Sequence, residues 1–452
     1  MEEVTSLKAK STTFAKIVIP ILITQVALYM MTFFDILMTG RYNTEDLAGV
    51  TIGSSFWVPV YTGLSGILMG LTPMIAHYIG AGKKHETRPS VQQGLYVSLV
   101  LSIVVFTLVL VAIIPAIQNM PLEAPVKVVA GHYLQGMSIG LIPLFAYTVL
   151  RSFFDALGAT RVSMFIILLS APINIALNYL LIFGNFGFPE LGGAGAGYAS
   201  GITYWIVLSI AALIAWKRKP FQSYQLFKGW QRVSFAKCLE IIKIGVPIGL
   251  SIFVEISIFS VVTLLMSGYT TETISAHQIA LNFTSLLYMI PLSISMGATI
   301  LVGQAVGARK MKTAKQYSFL AVGLAVLFSF ISIVILLVFR QPIASLYTTD
   351  QTIIELAVHF FVFAAFFQLS DAIQAPIQGS LRGYKDVNMT FIMAIISFWG
   401  IGLPVGYFTA MYTELGPFGY WVGLIVGLTI GAITLSLRLR VIQKRHELKE
   451  TA

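Results

Sequence analysis

Three carboxylates, Asp35, Glu255 and Asp371, lie deep inside apolar stretches long enough to cross a bilayer, and nearly every other charge falls between those stretches. A charge in hydrocarbon costs from about 2.5 kcal/mol to several times that, so such residues usually face a cavity and handle an ion, a proton or a cation. The three acids read as the working groups of a transporter. Asp35 lies about two-thirds along the first stretch, in MMTFFDILM, with no Lys or Arg one turn away. An unpaired carboxyl held away from water can exchange a proton or, when ionised, bind a cation.

The fifth stretch reads APINIALNYLLIFG and places Asn174 and Asn178 four residues apart, on one helix face. Pro172 just before them frees a backbone carbonyl, and amide oxygens beside a carboxylate make the hard-oxygen set that a small cation prefers. Asp35, Asn174 and Asn178 are therefore a candidate Na+ site. Paired asparagines also serve simply to hydrogen-bond neighbouring helices, so only convergence with Asp35 favours a site. Thr203 in the sixth stretch can add a hydroxyl, or serve packing alone.

Farther along, Glu255 follows Pro247 by two turns, and Asp371 sits in FQLSDAIQAPIQG with Gln368 and Gln374 on nearby faces. Neither acid has a basic residue at helical spacing. Across helices the two could pair with each other and share a proton or a cation.

Other polar residues carry less. His77, His132, His277 and His359 fall near span ends, where headgroup contact is the simpler expectation, and no HExxH or Cys/His spacing marks a catalytic metal. Arg151 and Asp155, at spacing four, are expected as a surface pair worth a few tenths of a kcal/mol. Pro20, Pro172, Pro247 and Pro404 fall inside apolar stretches and should kink them.

The elements that position these groups follow from composition. Of 452 residues, 57% are hydrophobic and only 11% charged, with a mean hydropathy of +0.83, whereas a soluble domain carries about a quarter charged residues. Windows of about 20 apolar residues match the roughly 30 Å hydrocarbon core. Twelve can be laid along the chain, near 17–39, 47–79, 91–116, 131–150, 162–183, 195–216, 244–267, 277–305, 317–339, 353–380, 388–411 and 419–437. The expected fold is an all-α polytopic membrane protein.

Basic residues should gather in alternate loops on the cytoplasmic side, and they do. One side receives Lys8, Lys10 and Lys16, then Lys83, Lys84 and Arg88, then Arg151 and Arg161, the run from Lys217 to Lys243, the group from Arg309 to Lys315, Arg382 with Lys385, and the tail from Arg438 to Lys449. The other side receives only Arg41, Lys127 and Arg340, which puts both termini in the cytoplasm. The net charge of +10 and pI near 9.5 reflect this topology; basic residues spread over short loops, with no folded domain to present them, do not suggest nucleic-acid binding. Cys238 is the only cysteine, so neither an internal disulfide nor a cysteine metal cluster can form. Glu2 and Glu3 at the start, and no small-residue cleavage site before the first apolar run, argue against a removable signal peptide.

The chain is also a tandem duplication. Residues 67–83, ILMGLTPMIAHYIGAGK, align with residues 294–310, ISMGATILVGQAVGARK, at a shift of 227. Weaker echoes are LMTGRY at 37–42 with LMSGYT at 265–270, and AGYASG at 196–201 with FGYWVG at 418–423. Six spans per half make the repeat parallel. The expected division is an N-terminal bundle over 1–216, a basic cytoplasmic linker over 217–243 and a C-terminal bundle with a basic tail over 244–452. Two pseudo-symmetric six-helix bundles around a central cavity would suit alternating access about a site near the midplane.

On these residues the chain resembles the multidrug and toxic compound extrusion (MATE) family, in particular its NorM-like branch. The resemblance covers the whole chain: two six-span halves, Pro20 before an Asp in the first span, the GAGK and GARK loops, PINIALN in the fifth span, and both Glu255 and Asp371. It implies a V-shaped pair of bundles that exports cationic amphiphilic compounds in exchange for inward Na+ or H+. By motif position, Asp35, Asn174, Asn178 and, less directly, Thr203 look like the N-terminal ion site, and Glu255 and Asp371 like a C-terminal ion or substrate site. One departure is Phe367, four residues before Asp371, where members of the branch often carry Tyr. The missing hydroxyl weakens the case for Na+ in the second half.

The leading expectation is thus a plasma-membrane antiporter, acting as a monomer with no cofactor, in which organic cation and inward ion compete for the same acids. A flippase for diphosphate-linked lipids, from the wider superfamily, would need Arg or Lys lining the cavity, and none lies mid-span. An intramembrane aspartyl protease would need YD and GxGD helix signatures, which are absent. A passive channel would show conductance without counter-ion dependence. The same carboxylates serve sodium and protons, so the sequence leaves the coupling ion open.

Overall fold

The computed structural model of the chain describes residues 6–451, so Glu2 and Glu3 lie outside the described residues. Among the described residues, eleven helices are long and apolar enough to cross a membrane: Leu7–Tyr42, Thr44–Gly80, Lys84–Gln118, Thr160–Phe183, Gly193–Lys217, Phe235–Met266, Thr271–Gly307, Met311–Val338, Gln351–Gly383, Asn388–Tyr412 and Phe418–Lys449. A further pair, Ala124–Ile139 and Leu141–Ala156, meets at a 47° bend. Counted as one bent span, it falls fourth in order and brings the crossings to twelve. No strand occurs among the described residues.

Outward-facing apolar side chains fit a bilayer rather than water. On the ninth span, Phe319, Leu327, Phe330 and Val334 are all more than half exposed, a surface that only a lipid or protein partner would cover.

Two proline-associated segments show how the helices yield. The third span widens to π-helical turns over Val109–Ile113, just before Pro115, and the eleventh over Ile395–Gly402, just before Pro404. Proline lacks an N–H and crowds the carbonyl a turn back, and a widened turn accommodates both. Pro20, Pro172 and Pro247 lie inside helices that continue past them.

Contacts divide the chain into two compact units. One runs from Ile23 to Gly249; the other joins the described residues up to Leu22 with those from Leu250 onward. In the second unit, Phe14, Ile17 and Ile21 at the start of the first helix share a core with Ile294, Ala298 and Leu301. There, the Lys10 ammonium donates to Gln316 Oε1.

Within the Ile23–Gly249 unit, glycine allows backbones to touch. A Cβ on Gly136 would sit 2.5 Å from Tyr198 N, one on Gly140 2.7 Å from Gly201 Cα, and one on Gly195 2.6 Å from Leu181 O. The glycine-rich start of the sixth span thereby nests against the fourth and fifth, as small residues do where membrane helices pack closely. The basic run after that span is pinned to this unit. Buried Gln92 donates to Leu226 O at 2.8 Å and accepts from Gln231 N at 3.2 Å, while buried Gln93 donates to Arg232 O at 3.0 Å and accepts from Ser234 N at 2.9 Å. Phe221, 3% exposed, closes the other end against Phe153 and Phe154.

Candidate ion and substrate sites

The first site assembles on the first, fifth and sixth spans, all within the Ile23–Gly249 unit. Asn174 and Asn178 are fully buried, and the close approach at Gly195 brings Ser200 and Thr203 of the sixth span alongside them. Asn178 Nδ2 donates to Asp35 Oδ1 at 2.5 Å and to Asn174 Oδ1 at 3.4 Å, and Asn174 Nδ2 donates to Thr203 Oγ1 at 3.3 Å. Ser200 Oγ reaches Asp35 Oδ2 at 3.5 Å. All four residues singled out from the sequence therefore meet in one chain of hydrogen bonds, and Ser200, not anticipated, joins them. Its signal was its place three residues before Thr203, on the same helix face.

The oxygens of this cluster suit a hard cation. Asn178 Oδ1 is buried with no hydrogen-bond partner, and a buried acceptor left unsatisfied costs roughly 1–3 kcal/mol unless something binds it. The Asp35 carboxylate, the Asn174 amide and the Thr203 hydroxyl lie in the same hydrogen-bonded cluster, oxygen donors of the type that hard cations take. The ion pairs among the described residues involve none of Asp35, Glu255 and Asp371. The same residues contain no cluster of three or more His, Cys, Asp or Glu placed to hold a metal.

The second-half acids occupy the other unit. Glu255, half-buried on the seventh span, accepts from Gln378 Nε2 at 2.5 Å, and Asp371 on the tenth span is 7% exposed and within electrostatic reach of Glu255. Gln368 Nε2 and Gln374 Oε1 are buried without hydrogen-bond partners. Phe367 packs between Phe259 and Trp421, at ring distances of 5.8 and 5.9 Å. Its position is thus filled by aromatic contacts.

Three expectations are corrected. Arg151 and Asp155 do pair, at 3.4 Å, but their side chains are only 17% and 6% exposed and Ser163 also donates to Asp155 at 2.8 Å. The face that carries them packs inward, so this is no surface pair. His277 does not reach headgroups: it is buried, accepting at Nδ1 from Trp421 Nε1 at 3.0 Å and meeting Thr263 Oγ1 through Nε2 at 3.1 Å. Arg382, grouped by sequence with the loop charges, lies inside the tenth helix at 8% exposure, within electrostatic reach of Glu255.

With this geometry in hand, known proteins agree on the kind of molecule. The MatE family matches the chain twice, over residues 20–180 and 247–408. The chain belongs to the MatE family. A probable multidrug resistance protein NorM of Halalkalibacterium halodurans is 52% identical over 99% of this chain and 98% of its own length. One of the same description from Bacillus subtilis is 50% identical over all of both chains. Among solved structures, an outward-facing multidrug resistance MATE family transporter superposes with a TM-score of 0.87 at 19% identity, over 99% of each chain. The eukaryotic MATE transporter AtDTX14 superposes at 0.84 with 20% identity, over 98% of this chain and 99% of that one. The chain is therefore a NorM-like MATE transporter, an all-α multi-pass membrane protein and not an enzyme. The double match also coincides with the internal repeat.

Proposed function

We propose that this MATE transporter is a multidrug efflux antiporter of the plasma membrane, expelling cationic amphiphilic compounds in exchange for inward Na+ or H+. Its NorM relatives are described as multidrug resistance proteins. The halves 1–216 and 244–452 alternate access on either side of the 217–243 linker, and both termini face the cytoplasm, where the positive-inside pattern places the basic loops. The observation that carries this reading is Asp35, a carboxylate inside a membrane span with amide and hydroxyl partners and no ion pair among the described residues. Such a group binds whichever cation is offered, whether a proton, sodium or an organic cation. Mutual exclusion at the acids then couples the two fluxes, since one negative charge is not neutralised twice.

Full-length protein reconstituted into vesicles that accumulate ethidium provides the test. A sodium gradient or a pH gradient, imposed separately, should drive ethidium movement, and the effective one identifies the coupling ion. Movement at the protein-free rate under both gradients would overturn the proposal.

A further inference from the structure

The internal repeat extends to residues that were not aligned from the loops. Leu150, Arg151 and Asp155 meet Leu381, Arg382 and Asp386 at a shift of 231, and Tyr61 meets Tyr288 at 227. Each half thus carries an arginine four residues before an aspartate, facing a tyrosine of another helix: Arg151 lies within electrostatic reach of Tyr61, and Arg382 of Tyr288. The halves then part. In the first, Asp155 neutralises Arg151 directly. In the second, the equivalent Asp386 is taken by Arg438, whose Nε and Nη2 donate to its two oxygens at 2.7 and 2.9 Å. Arg382 is left buried, with no carboxylate within 4.0 Å among the described residues.

What faces Arg382 instead is the acid site. Asp371, Gln374, Gln378 and Arg382, spaced by three, four and four residues, form one buried polar stripe down the tenth helix. Gln378, one turn before Arg382, holds Glu255 Oε1. The charged and titratable groups within electrostatic reach of Arg382 are Glu255 from the seventh span and Tyr288 from the eighth, and Asp371, about three turns away on its own helix, reaches Glu255 and Tyr288.

We propose that Arg382 is the resident counter-charge of the second-half acids, a positioning residue that keeps Glu255 charged on Gln378 and leaves Asp371 to exchange a proton or guest cation. The inference rests on the antiport reading of these acids given above. It implies a charge count. Two carboxylates and one guanidinium leave one net negative charge in the second half, the same as Asp35 alone supplies in the first, where Arg151 is already paired. Both halves then suit a monovalent cation despite their different numbers of acids.

The test uses purified full-length protein, rhodamine 6G binding by fluorescence polarisation from pH 5.5 to 9, and thermal unfolding without ligand. To leave the second-half site as the readout, every variant is compared in an Asp35→Asn background. Glu255→Gln leaves the second half with one carboxylate, Asp371, and one guanidinium, Arg382, at zero net charge, and should weaken rhodamine 6G binding at least tenfold. Adding Arg382→Gln restores one net negative charge and should recover binding to within about threefold, an outcome a merely structural arginine would not give. Arg382→Gln alone should move half-maximal binding upward by about one pH unit, and Arg382→Lys should keep the parent profile. In the ligand-free unfolding cycle, the Glu255 and Arg382 substitutions should be non-additive, the pair being more stable than the sum of the singles predicts. Additive unfolding effects, or a double variant binding as poorly as Glu255→Gln, would overturn the assignment. Should Arg382→Gln fail to fold, the double variant decides by the same criteria. Absence of rhodamine 6G binding by the unmodified protein would count against the antiport reading, while the unfolding cycle would still judge the Arg382 assignment.

Discussion

Asn178 gives its amide hydrogens to Asp35 and Asn174 while its own Oδ1 stays buried without a partner. On the proposed antiport reading, one side chain both orients the acid and offers a spare oxygen to a cation. Asn178→Ala removes both roles. It should raise the half-saturating concentration of the coupling ion by about ten- to a hundredfold, the range seen when a group orienting a metal ligand is removed, while the protein still elutes as a folded species. Efflux measured against increasing Na+ and against pH checks this, and an unchanged ion dependence would remove Asn178 from the site.

The basic run after the sixth span should behave as a strap rather than a free tether. Gln92→Ala or Gln93→Ala strips hydrogen bonds from backbone groups at 226–234, of which only Leu226 is a buried residue, a loss of about 0.5–1.5 kcal/mol for each bond. Limited trypsin digestion should then cut at Lys228 and Arg232 several-fold faster than in the parent protein. Equal cleavage rates would mean that these bonds do not hold the segment.

Asp155→Asn should destabilise the protein by about 3–5 kcal/mol, because it leaves Arg151 as a buried cation without its counter-charge. Replacing both, as Arg151→Met with Asp155→Leu, should cost less than the single change. Thermal unfolding of the two variants makes the comparison, and the reverse order would place the pair in water.

Gly136→Val should lower the yield of folded protein sharply, since even a Cβ at that position meets Tyr198 N at 2.5 Å and the obstacle is backbone. Size-exclusion profiles check this; a normal profile would mean that the fourth and sixth spans are not in contact there.

Much of this was legible in the sequence because the bilayer makes charge conspicuous. Asp35, Glu255 and Asp371 stood out against apolar surroundings, and Asn174, Asn178 and Thr203 followed from helical spacing and motif position. Ser200 did not stand out, since a serine among small residues is ordinary in a packed membrane helix. Arg382 was hidden by position: one residue before the end of its helix, it reads like the loop charges beside it. The LRxxxD match at 150–155 and 381–386 was there to be found, but its meaning depends on Arg438, more than fifty residues on, having claimed Asp386. The burial of His277 rests on Trp421 across 144 residues, and the grip of Gln92 on a segment 134 residues away. No local pattern specifies partners so distant.

The most direct test concerns Asp35. Ethidium efflux from cells carrying Asp35→Asn should fall to the level of cells without the transporter, while the variant protein reaches the membrane in normal amount and elutes as a folded species. Full efflux by that folded variant would contradict the account.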